Sequence, residues 1–495
     1  MRIVSKKYVI SLLFLLLIGV FLVVGLNHKE SEFSCNDCNL IIIATTNISA
    51  EHMSGYGYEK NTTPNIDKFA NEALLFKNTF AHTSWTLPSA TSVFTSQYPY
   101  THGTNNREEK KAIVELTLAD ILKSSGYKTA AFTGGGDYDR VYGLNKGFDT
   151  YIDSDYFAGL KDRVPLAIEW LKDNQDDKFF LYVQGFDSHC PFNPPAPYDT
   201  MFIESKNMPI QEDAQTKRNF CLRGFKDDSD GKDIYRTYHF QQGDPIPVDL
   251  TGEDVEYLTS QYDGEIAMTD DSVGMFLDYL KSRGLLKNTV VVIYSEHGEM
   301  FGKHGRFGRA GTNRGTLYDE VVHVPLVIKN PKAETGKKID GLVQLIDILP
   351  TMLNMLSIKF PNTNNFQGKS LFPLILNDEE VNRYVYAGAE FGKDVFDFFS
   401  VSSVNESVRD KKWKLIHEVL NNSDSEETWE LYDISTDLQE QKNLINQEQE
   451  IFDELKGKLV EWRSDVVVSD YETVDETLEP APADLIEESR KRGYF

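Results

Sequence analysis

Short apolar runs alternate with amphipathic segments along most of the chain, which is the rhythm of an α/β protein. The apolar runs are rich in branched and aromatic residues and predict buried strands at Asn39–Ala44, Lys128–Thr133, Lys178–Val183, Asn288–Tyr294 and Pro325–Lys329. The segments between them predict helices over Pro64–Glu72, Ser89–Ser96, Thr117–Ser125, Val164–Asn174, Val255–Arg283 and Ile346–Leu356. This alternation predicts an α/β fold in which a mixed, mostly parallel sheet is covered by helices on both faces.

The pattern changes in two places. Residues 200–250 are polar and rich in Asp and Gln, and we interpret them as an insertion near the functional site. From about Asn377 the pattern becomes alternating, with predicted strands at Trp413–His417 and Trp429–Tyr432 and a helix over Glu448–Trp462. We therefore expect a main domain over residues 39–376 and a smaller antiparallel α+β subdomain with a tail over residues 377–495.

The N-terminus predicts a membrane anchor. Arg2, Lys6 and Lys7 precede an apolar run over Tyr8–Leu26, which is close to the roughly 20 residues that span a bilayer. Basic residues stay on the cytoplasmic side, so the globular part is expected on the extracytoplasmic side of a single-pass anchor, with a tether up to residue 38. A cleaved signal sequence is the alternative.

Charge and cysteine content narrow the function. The net charge of −26 argues against a nucleic-acid partner, because phosphate binding requires a basic surface. The four cysteines are compatible with disulfides in an oxidising compartment. We favour a Cys190–Cys221 bond, since both lie in one long segment, and a Cys35–Cys38 bond is possible. A metal site built from two cysteine pairs is disfavoured because only one pair is closely spaced.

The most informative segment is Ala81-His-Thr-Ser-Trp-Thr-Leu-Pro-Ser-Ala90. It places the Thr86 hydroxyl just ahead of a proline typical of a helix start, where unpaired backbone N–H groups favour anions. Other polar motifs follow the predicted strands and helices. They are Ser54-Gly-Tyr-Gly-Tyr58, Thr62-Thr-Pro-Asn-Ile-Asp67, Tyr98-Pro-Tyr-Thr-His-Gly103, Phe186-Asp-Ser-His189, Tyr262-Asp-Gly-Glu265, Ser295-Glu-His-Gly-Glu299, Asp347-Ile-Leu-Pro-Thr351 and Glu430-Leu-Tyr-Asp-Ile434.

In this order and spacing the motifs resemble the sulfatase family of the alkaline phosphatase superfamily, from about Leu40 to the C-terminus. The resemblance implies a nucleophile beside one divalent cation, usually calcium. Thr86 matches the nucleophile. Ala90 stands where the modification motif has Arg, so no formylglycine is expected. Several relatives carry a plain Thr at this position and act on phosphate groups.

The resemblance also implies a set of cation ligands. Glu296 stands for the usual Asp after the later strand, and His297 for its partner. Thr46 stands for the key Asp after the first strand, and Asn47 follows it. A neutral hydroxyl is a poor ligand for a hard dication, so the first half of the metal site departs from the family pattern.

Further side chains are expected around the ester. By the resemblance, His189 contacts the substrate and helps the leaving group, while His304 and Arg309 lie near the ester oxygens. His102 is expected to support its loop, and Asn105 to border the pocket. The competing interpretations are structural: Thr86 as a helix cap, Glu296 as a surface acid and each histidine as a packed core residue. The motifs around Tyr262 and Asp347 are assigned to the scaffold.

Three functions remain open at this stage. The leading one is hydrolysis of a sulfate or phosphate ester on a glycan or an envelope lipid. The second is a non-catalytic protein that keeps the fold and binds an anionic glycan or lipid without the cation, which Thr46 and Ala90 favour. The third is a phosphoethanolamine- or phosphoglycerol-type transferase, which is disfavoured because such enzymes usually carry more membrane helices or more metal-binding side chains.

Overall fold

The computed structural model describes residues 33–104, 113, 116–155, 157–204, 217–227, 234–241, 244–309, 316–332, 336–361, 363–391, 402–421 and 426–466. The predicted anchor over Tyr8–Leu26, the pocket residue Asn105 and the tail from residue 467 lie outside the described residues. Among the residues that are described, no helix is both long enough and apolar enough to cross a bilayer.

Eight strands of the described chain form one central sheet. They are β1 (Asn39–Thr45), β2 (Leu74–Phe80), β3 (Lys128–Phe132), β4 (Thr150–Ile152), β5 (Phe179–Gly185), β9 (Thr289–Ser295), β11 (His323–Lys329) and β12 (Lys337–Gln344). Their order across the sheet is β12-β2-β11-β9-β1-β5-β3-β4. All pairings are parallel except those of β11, which runs antiparallel to both β2 and β9. The predicted mixed, mostly parallel sheet is therefore confirmed.

Alternate residues of β1 face two separate apolar layers, as the period of a strand requires. Leu40 and Ile42 belong to the layer that contains Leu87. Ile41 and Ile43 belong to the opposite layer. All five side chains are almost fully excluded from solvent, so the central strands are held from both sides, as expected of a sheet sandwiched by helices.

Seven of the described helices follow the predicted ones with shifted ends, and four short helices were not predicted. The described helices are α1 (Pro64–Ala70), α2 (Thr86–Thr95), α3 (Pro99–His102), α4 (Leu118–Ser124), α5 (Leu160–Asn174), α6 (Tyr198–Met201), α7 (Gly252–Ser282), α8 (Asp319–Val322), α9 (Ile348–Met355), α10 (Phe372–Asn377) and α11 (Gln449–Val466). The four that were not predicted are α3, α6, α8 and α10. Helix α2 begins at Thr86 rather than at the predicted Ser89. Pro88 is tolerated at its third position because the first N–H groups of a helix have no intrahelical partner.

The insertion predicted over residues 200–250 contains a second sheet. Strands β6 (Arg223–Asp227), β7 (Ile234–Gln241) and β8 (Asp244–Thr251) pair in an antiparallel meander. The short strand β10 (Arg306–Phe307) pairs with β6 at the edge of this sheet. The insertion thus fixes the chain immediately before Arg309, which agrees with its predicted place near the site.

The C-terminal part is an antiparallel sheet, as predicted. Its strands are β13 (Val385–Phe391), β14 (Ser402–Arg409), β15 (Trp413–Asn421) and β16 (Glu426–Asp433), and α11 packs against it. A buried ion-pair network joins it to the main domain: Asp319 in α8 accepts from Arg409 Nη1 at 2.5 Å and from Lys414 Nζ at 2.6 Å. Burial alone would raise the pKa of Asp319, but the two cations outweigh it and hold that pKa below its usual range.

The first described residues pack into the main domain, which corrects the prediction of a tether up to residue 38. The Phe33 ring packs edge-on against the Phe372 ring with a centroid distance of 5.4 Å, and the Cys35 N–H donates to the Met355 carbonyl at 2.6 Å. Both possible disulfides are present, Cys35–Cys38 and the favoured Cys190–Cys221. The apolar character of Phe33 and the adjacent cysteines explains why this segment is buried rather than solvated.

Replacing Asp319 with Asn tests the ion-pair network. The Asp319→Asn variant removes the carboxylate that Arg409 and Lys414 share and leaves Lys414 with Glu440 alone. We expect it to lower the free energy of unfolding in urea by about 3–5 kcal/mol. The matched control is Asp340→Asn, which breaks the exposed Lys77–Asp340 pair and should cost less than about 1 kcal/mol. Equal effects of the two variants would contradict this role of Asp319.

The contacts of His82 predict that the interface between the main domain and the C-terminal sheet is sensitive to acid. His82 Nδ1 donates to the Tyr386 carbonyl and its Nε2 accepts from the Ile346 N–H, and burial lowers its pKa to about 4. Between about pH 6.5 and pH 4 the unfolded chain therefore binds a proton at His82, whereas the folded chain does not. The contribution of neutral His82 to the free energy of unfolding is present above about pH 6.5 and is lost as pH falls towards about 4. The effect is on the order of 3 kcal/mol.

The measurement is the pH dependence of unfolding for the wild type and for His82→Asn, which offers a donor and an acceptor but does not titrate. We expect the stability difference between the two proteins to shrink as pH falls through this window. Parallel stability curves would contradict the assignment.

Candidate active site

The central strands end level with one another at their carboxyl edge. In the sheet register Thr45 lies beside Gly185 on one side and beside Ser295 on the other. The next residues along each strand, including Thr46 and Glu296, therefore leave the sheet together. This register explains why motifs far apart in the sequence meet at one place, the carboxyl edge where α/β proteins bind ligands.

Thr86 and His297 are in direct contact at this edge. Thr86 Oγ1 lies 2.9 Å from His297 Nε2, and His297 Nδ1 lies 2.9 Å from the Gly298 carbonyl oxygen. Since a carbonyl only accepts, Nδ1 carries the proton and Nε2 accepts from the Thr86 hydroxyl. Burial, and then the charge of Arg309, lower the pKa of His297 well below its usual value, which keeps the ring neutral. The hydroxyl is thus paired with a base.

The competing role of Thr86 as a helix cap is not realised. Trp85 is the N-cap of α2, and the helix has no side-chain capping bond. Thr86 is the first helical residue, so its hydroxyl lies at the positive end of the helix dipole while bonding to His297. Helix α2 is buried along its whole length, and Thr86 itself is 1% exposed. The helix dipole favours a developing negative charge at this hydroxyl, and the exclusion of water strengthens that interaction.

Arg309 lies at the same edge of the sheet as Thr86 and His297, and these side chains with Asn47, His189, Glu296 and Glu299 are called the active-site group. Arg309 Nε donates to the Ser84 carbonyl at 3.0 Å, and its Nη2 donates to His189 Nε2 at 3.0 Å. Its Nη1 donates to Glu299 Oε2 at 3.2 Å and, at 3.4 Å, to Asn47 Oδ1. The Arg309 side chain is only 8% exposed, and among the described residues the carboxylate in contact with its guanidinium is that of Glu299.

Asn47 and Glu299 fix this cation. Asn47 Nδ2 donates to Glu299 Oε2 at 3.0 Å and to the Ser188 carbonyl at 2.9 Å. The other carboxylate oxygen, Glu299 Oε1, accepts from the Arg309 backbone N–H at 2.7 Å. Asn47 has a φ of 69°, a left-handed conformation that Asn adopts more readily than most residues. The amide of Asn47 is therefore committed to neighbouring protein groups.

Glu296 lies in a largely uncharged pocket. Its Oε1 accepts from the Tyr138 hydroxyl, which is followed by the Tyr182 hydroxyl at 2.7 Å and the Tyr294 hydroxyl at a further 2.9 Å. Burial raises the pKa of Glu296 to about 8, although hydrogen bonds from Tyr138 and Thr46 act in the opposite direction. Its other carboxylate oxygen, Oε2, is buried and has no well-formed hydrogen bond within the described residues. Thr46 is close enough to lower the pKa of Glu296 but does not satisfy this oxygen with good geometry.

The residues at the predicted cation position fit a hard dication poorly. Thr46 is neutral, and its Oγ1 accepts from Gln184 Nε2 at 2.8 Å. His297 Nε2 is occupied by Thr86, and Asn47 by Arg309 and Glu299. Only Glu296 brings a carboxylate, whereas calcium takes six to eight oxygen ligands, including charged ones. In the described chain, the one close cluster of His, Cys, Asp and Glu ligand atoms contains Cys190 and Cys221, whose sulfurs are joined in a disulfide.

His189 belongs to the active-site group and borders an open cavity. Its Nδ1 donates to the Cys190 carbonyl at 2.8 Å, while its Nε2 accepts from Arg309. The cavity beside it has a volume of about 590 Å³. Among the residues that line it are Asp155, Lys161, Asp162, Asn193 and Glu265. The position agrees with the predicted substrate contact, but both ring nitrogens are engaged and neither carries a proton that is free for a leaving group.

His304 lies outside the active-site group, in contrast to its predicted place near the ester oxygens. It has a φ of 54° in the turn Lys303–Gly305, and its ring stacks on that of Tyr318 at a centroid distance of 3.6 Å. This stacking turns the imidazole towards the C-terminal sheet. His102 agrees with its predicted supporting role: its Nε2 lies 3.0 Å from Ser92 Oγ, and its Nδ1 accepts from the Thr104 N–H.

Several contributors to the site were not assigned from the sequence. Glu299 is the last residue of the Ser-Glu-His-Gly-Glu motif, and membership of that motif is the one sequence feature that could have marked it as a site residue. Gln184 is the penultimate residue of β5, and nothing in the sequence pairs it with Thr46. Tyr138 comes from a loop after β3. Their roles depend on contacts between segments that no local pattern encodes.

The chain matches known families over most of its length. A family model described as sulfatase matches residues 38–358, and the model for the C-terminal region of N-sulphoglucosamine sulphohydrolase matches residues 302–465. The N-acetylglucosamine-6-O-sulfatase of Bacteroides thetaiotaomicron is 23% identical over 474 residues, which cover 82% of this chain and 82% of the relative. The arylsulfatase of Clostridium perfringens is 24% identical, with 83% of this chain and 91% of the relative covered.

Solved structures share the fold. A protein in complex with its substrate D-glucosamine-2-N,6-O-disulfate superposes with a TM-score of 0.66 at 20% identity, covering 88% of this chain and 99% of the other. The phosphonate monoester hydrolase of Agrobacterium radiobacter superposes with a TM-score of 0.65 at 19% identity, covering 87% and 96%. Both likenesses support the central sheet with a separate C-terminal sheet.

The Arg309–Glu299 pair predicts a stability effect. The Glu299→Gln variant leaves a buried guanidinium without its carboxylate, and we expect the free energy of unfolding to fall by about 3–5 kcal/mol in urea titrations. The control is Glu51→Gln, which removes the partly exposed Lys303–Glu51 pair and should cost less than about 1 kcal/mol. If Glu299→Gln is as mild as this control, Glu299 does not balance Arg309.

Proposed function

The chain belongs to the sulfatase family of the alkaline phosphatase superfamily, and from this premise we propose that it hydrolyses a sulfate or phosphate ester with the Thr86 hydroxyl as nucleophile. The observation that carries the proposal is the 2.9 Å contact between Thr86 Oγ1 and His297 Nε2. A nucleophile bonded to a neutral base that is itself oriented by a third group is the general arrangement of covalent catalysis. Here the third group is the Gly298 carbonyl.

The first half of the reaction transfers the sulfuryl or phosphoryl group. The Thr86 proton passes to His297 Nε2 while Oγ1 forms a bond to sulfur or phosphorus. The bond to the leaving oxygen breaks, and this oxygen departs into the cavity beside His189, where solvent protonates it. Arg309 and the N-terminus of α2 stabilise the negative charge on the transferred group.

The second half releases the anion. Water attacks the same sulfur or phosphorus atom and loses a proton to solvent, while the bond to Thr86 Oγ1 breaks. The proton held on His297 returns to Oγ1, which restores the starting state. His189 acts in both halves by holding Arg309 through Nε2, rather than by protonating the leaving group as expected from the sequence.

The substrate class follows from the relatives and the cavity. Curated relatives carry names that refer to sulfated glycans, such as the N-acetylglucosamine-6-O-sulfatase and an ulvan-active sulfatase of Formosa agariphila. The lining of the cavity combines polar and charged side chains, such as Lys161 and Asn193, with apolar ones, such as Phe157 and Met268. Polar groups placed in an apolar wall suit the hydroxyl groups and the ring faces of a glycan. We propose a sulfated or phosphorylated glycan as substrate, with a lipid headgroup as the alternative.

Location and cofactor also remain proposals. We propose that the apolar N-terminal run anchors the protein at the cell membrane, with the globular part on the extracytoplasmic side. The two disulfides support this compartment, because disulfides persist in oxidising surroundings. The divalent cation expected from the sequence stays a prediction, and no step above depends on it.

A non-catalytic binding protein is the second candidate. Thr46 in place of a carboxylate, together with an Asn47 amide committed to Arg309 and Glu299, favours a cleft that binds an anion without turning it over. This candidate shares the fold and the ligand class, so only turnover separates it from the hydrolase.

Turnover and the nucleophile are tested together. Hydrolysis of aryl sulfate, phosphate monoester and phosphodiester substrates is measured for the wild type and for Thr86→Ala. We expect kcat to fall by about 10³-fold or more, because removing a nucleophile leaves only the binding contribution. The control is Thr91→Ala in the same helix, where the hydroxyl donates to the Leu87 carbonyl of that helix and its loss should leave kcat nearly unchanged.

The results separate the candidates. No turnover by folded wild-type protein rejects the hydrolase and leaves the binding protein. Turnover that Thr86→Ala does not reduce removes Thr86 from the nucleophile role.

A further inference from the structure

We infer that the Arg309 guanidinium is the resident cation of this site and supplies the positive charge in place of a divalent metal ion. The inference rests on the proposed anion chemistry of the site but concerns a different property, its independence from metal. It arises from the disagreement between the predicted ligand set and the contacts that those side chains make.

The first support is the state of the predicted ligands. Asn47 Oδ1, the only oxygen that this side chain could offer to a metal, accepts from Arg309 Nη1. The Thr46 hydroxyl accepts from Gln184 and carries no charge. His297 Nε2 is bonded to Thr86, so Glu296 is the one predicted ligand that remains, and it falls far short of the shell of oxygen ligands that calcium takes.

The second support is the placement of the guanidinium. It is nearly buried, and hydrogen bonds to Asn47, Glu299, His189 and the Ser84 carbonyl hold it from four directions. Its Nη1 lies 3.4 Å from Asn47 Oδ1, the oxygen of that predicted ligand. A dication bound by Asn47 would face this fixed positive charge in surroundings of low dielectric constant, where repulsion is strong.

The third support is the capacity of Arg309 for an anion. A guanidinium has five N–H donors and stays charged at any physiological pH. The hydrogen bonds to the Ser84 carbonyl, Glu299, Asn47 and His189 use the N–H of Nε, both N–H groups of Nη1 and one N–H of Nη2. The second N–H of Nη2 has no partner in the described part of the chain, which leaves one charge-assisted donor for an oxygen of a sulfate or phosphate group.

The insertion provides a reason why Arg309 can hold this position. Strand β10 pairs with β6 of the insertion sheet, and the Gly308 N–H donates to the Met300 carbonyl at 2.9 Å. Gly308 has a φ of 66°, which turns the chain sharply before Arg309. The side chain is thereby directed inwards by a fixed backbone rather than by a free loop.

The primary test is a calcium titration of the full chain after dialysis against a chelator, followed by isothermal calorimetry and elemental analysis. We expect no stoichiometric calcium site, and unchanged affinity for inorganic phosphate or sulfate with calcium or with chelator. One calcium bound per chain, lost in Glu296→Gln, would overturn the inference. This readout needs no turnover, so it stands or falls separately from the hydrolase proposal.

Two variants sharpen the test. Arg309→Met removes the charge at similar length, and we expect inorganic phosphate or sulfate to bind about ten- to a hundredfold more weakly, the cost of losing hydrogen bonds from a charged group. The combination of Thr46→Asp with Arg309→Met restores an acid and removes the guanidinium, and should create a calcium site that Thr46→Asp alone forms less well.

Equal calcium affinity of the single Thr46→Asp protein and the double variant would overturn the inference, because the guanidinium would then have no effect on the cation. Circular dichroism and thermal unfolding establish that each variant is folded. If the double variant does not fold, the wild-type titration and the Arg309→Met anion affinities still decide the question.

Discussion

The organisation of the site depends on one buried charge, the Arg309 guanidinium, and on its neutralisation by Glu299. A cation taken out of water is tolerated only when a partner charge and further hydrogen bonds replace its hydration. Asn47, His189 and the Ser84 carbonyl complete that shell, and each comes from a different segment of the chain. One side chain thereby ties the ends of β1 and β5 to the loop that precedes α2.

The same charge shapes the chemistry around Thr86. It disfavours protonation of His297, which keeps Nε2 available as an acceptor for the hydroxyl. Glu296, the residue before His297, lies in a pocket of tyrosine hydroxyls, where burial raises its pKa although the charge of Arg309 acts in the opposite direction. We infer that the positive charge of this site comes from Arg309, whose guanidinium is paired with Glu299.

Much of the fold could be predicted because the signals are local. The apolar runs of β1, β5 and β9 are continuous and short, which is typical of strands buried on both faces. Helix α2 starts earlier than its sequence predicts, because Pro88, which is typical of a first helical position, is the third residue of the helix. The segment up to residue 38 reads as a solvated tether because its polar residues outnumber Phe33 and the two cysteines, which are nevertheless buried.

The sequence by itself determined the α/β class and the C-terminal sheet, because strand periodicity is a local signal. It favoured the Cys190–Cys221 disulfide because both cysteines lie in one long segment, and the motifs that follow predicted strands indicated which residues reach the sheet edge. Only the tertiary structure decided which of those residues touch. It paired Thr86 with His297, took His304 away to Tyr318 and set Arg309 against Asn47 and Glu299. These contacts are set by strand register and by backbone turns. They cannot be deduced from local sequence patterns, because a shift of a few ångströms is enough to break a hydrogen bond.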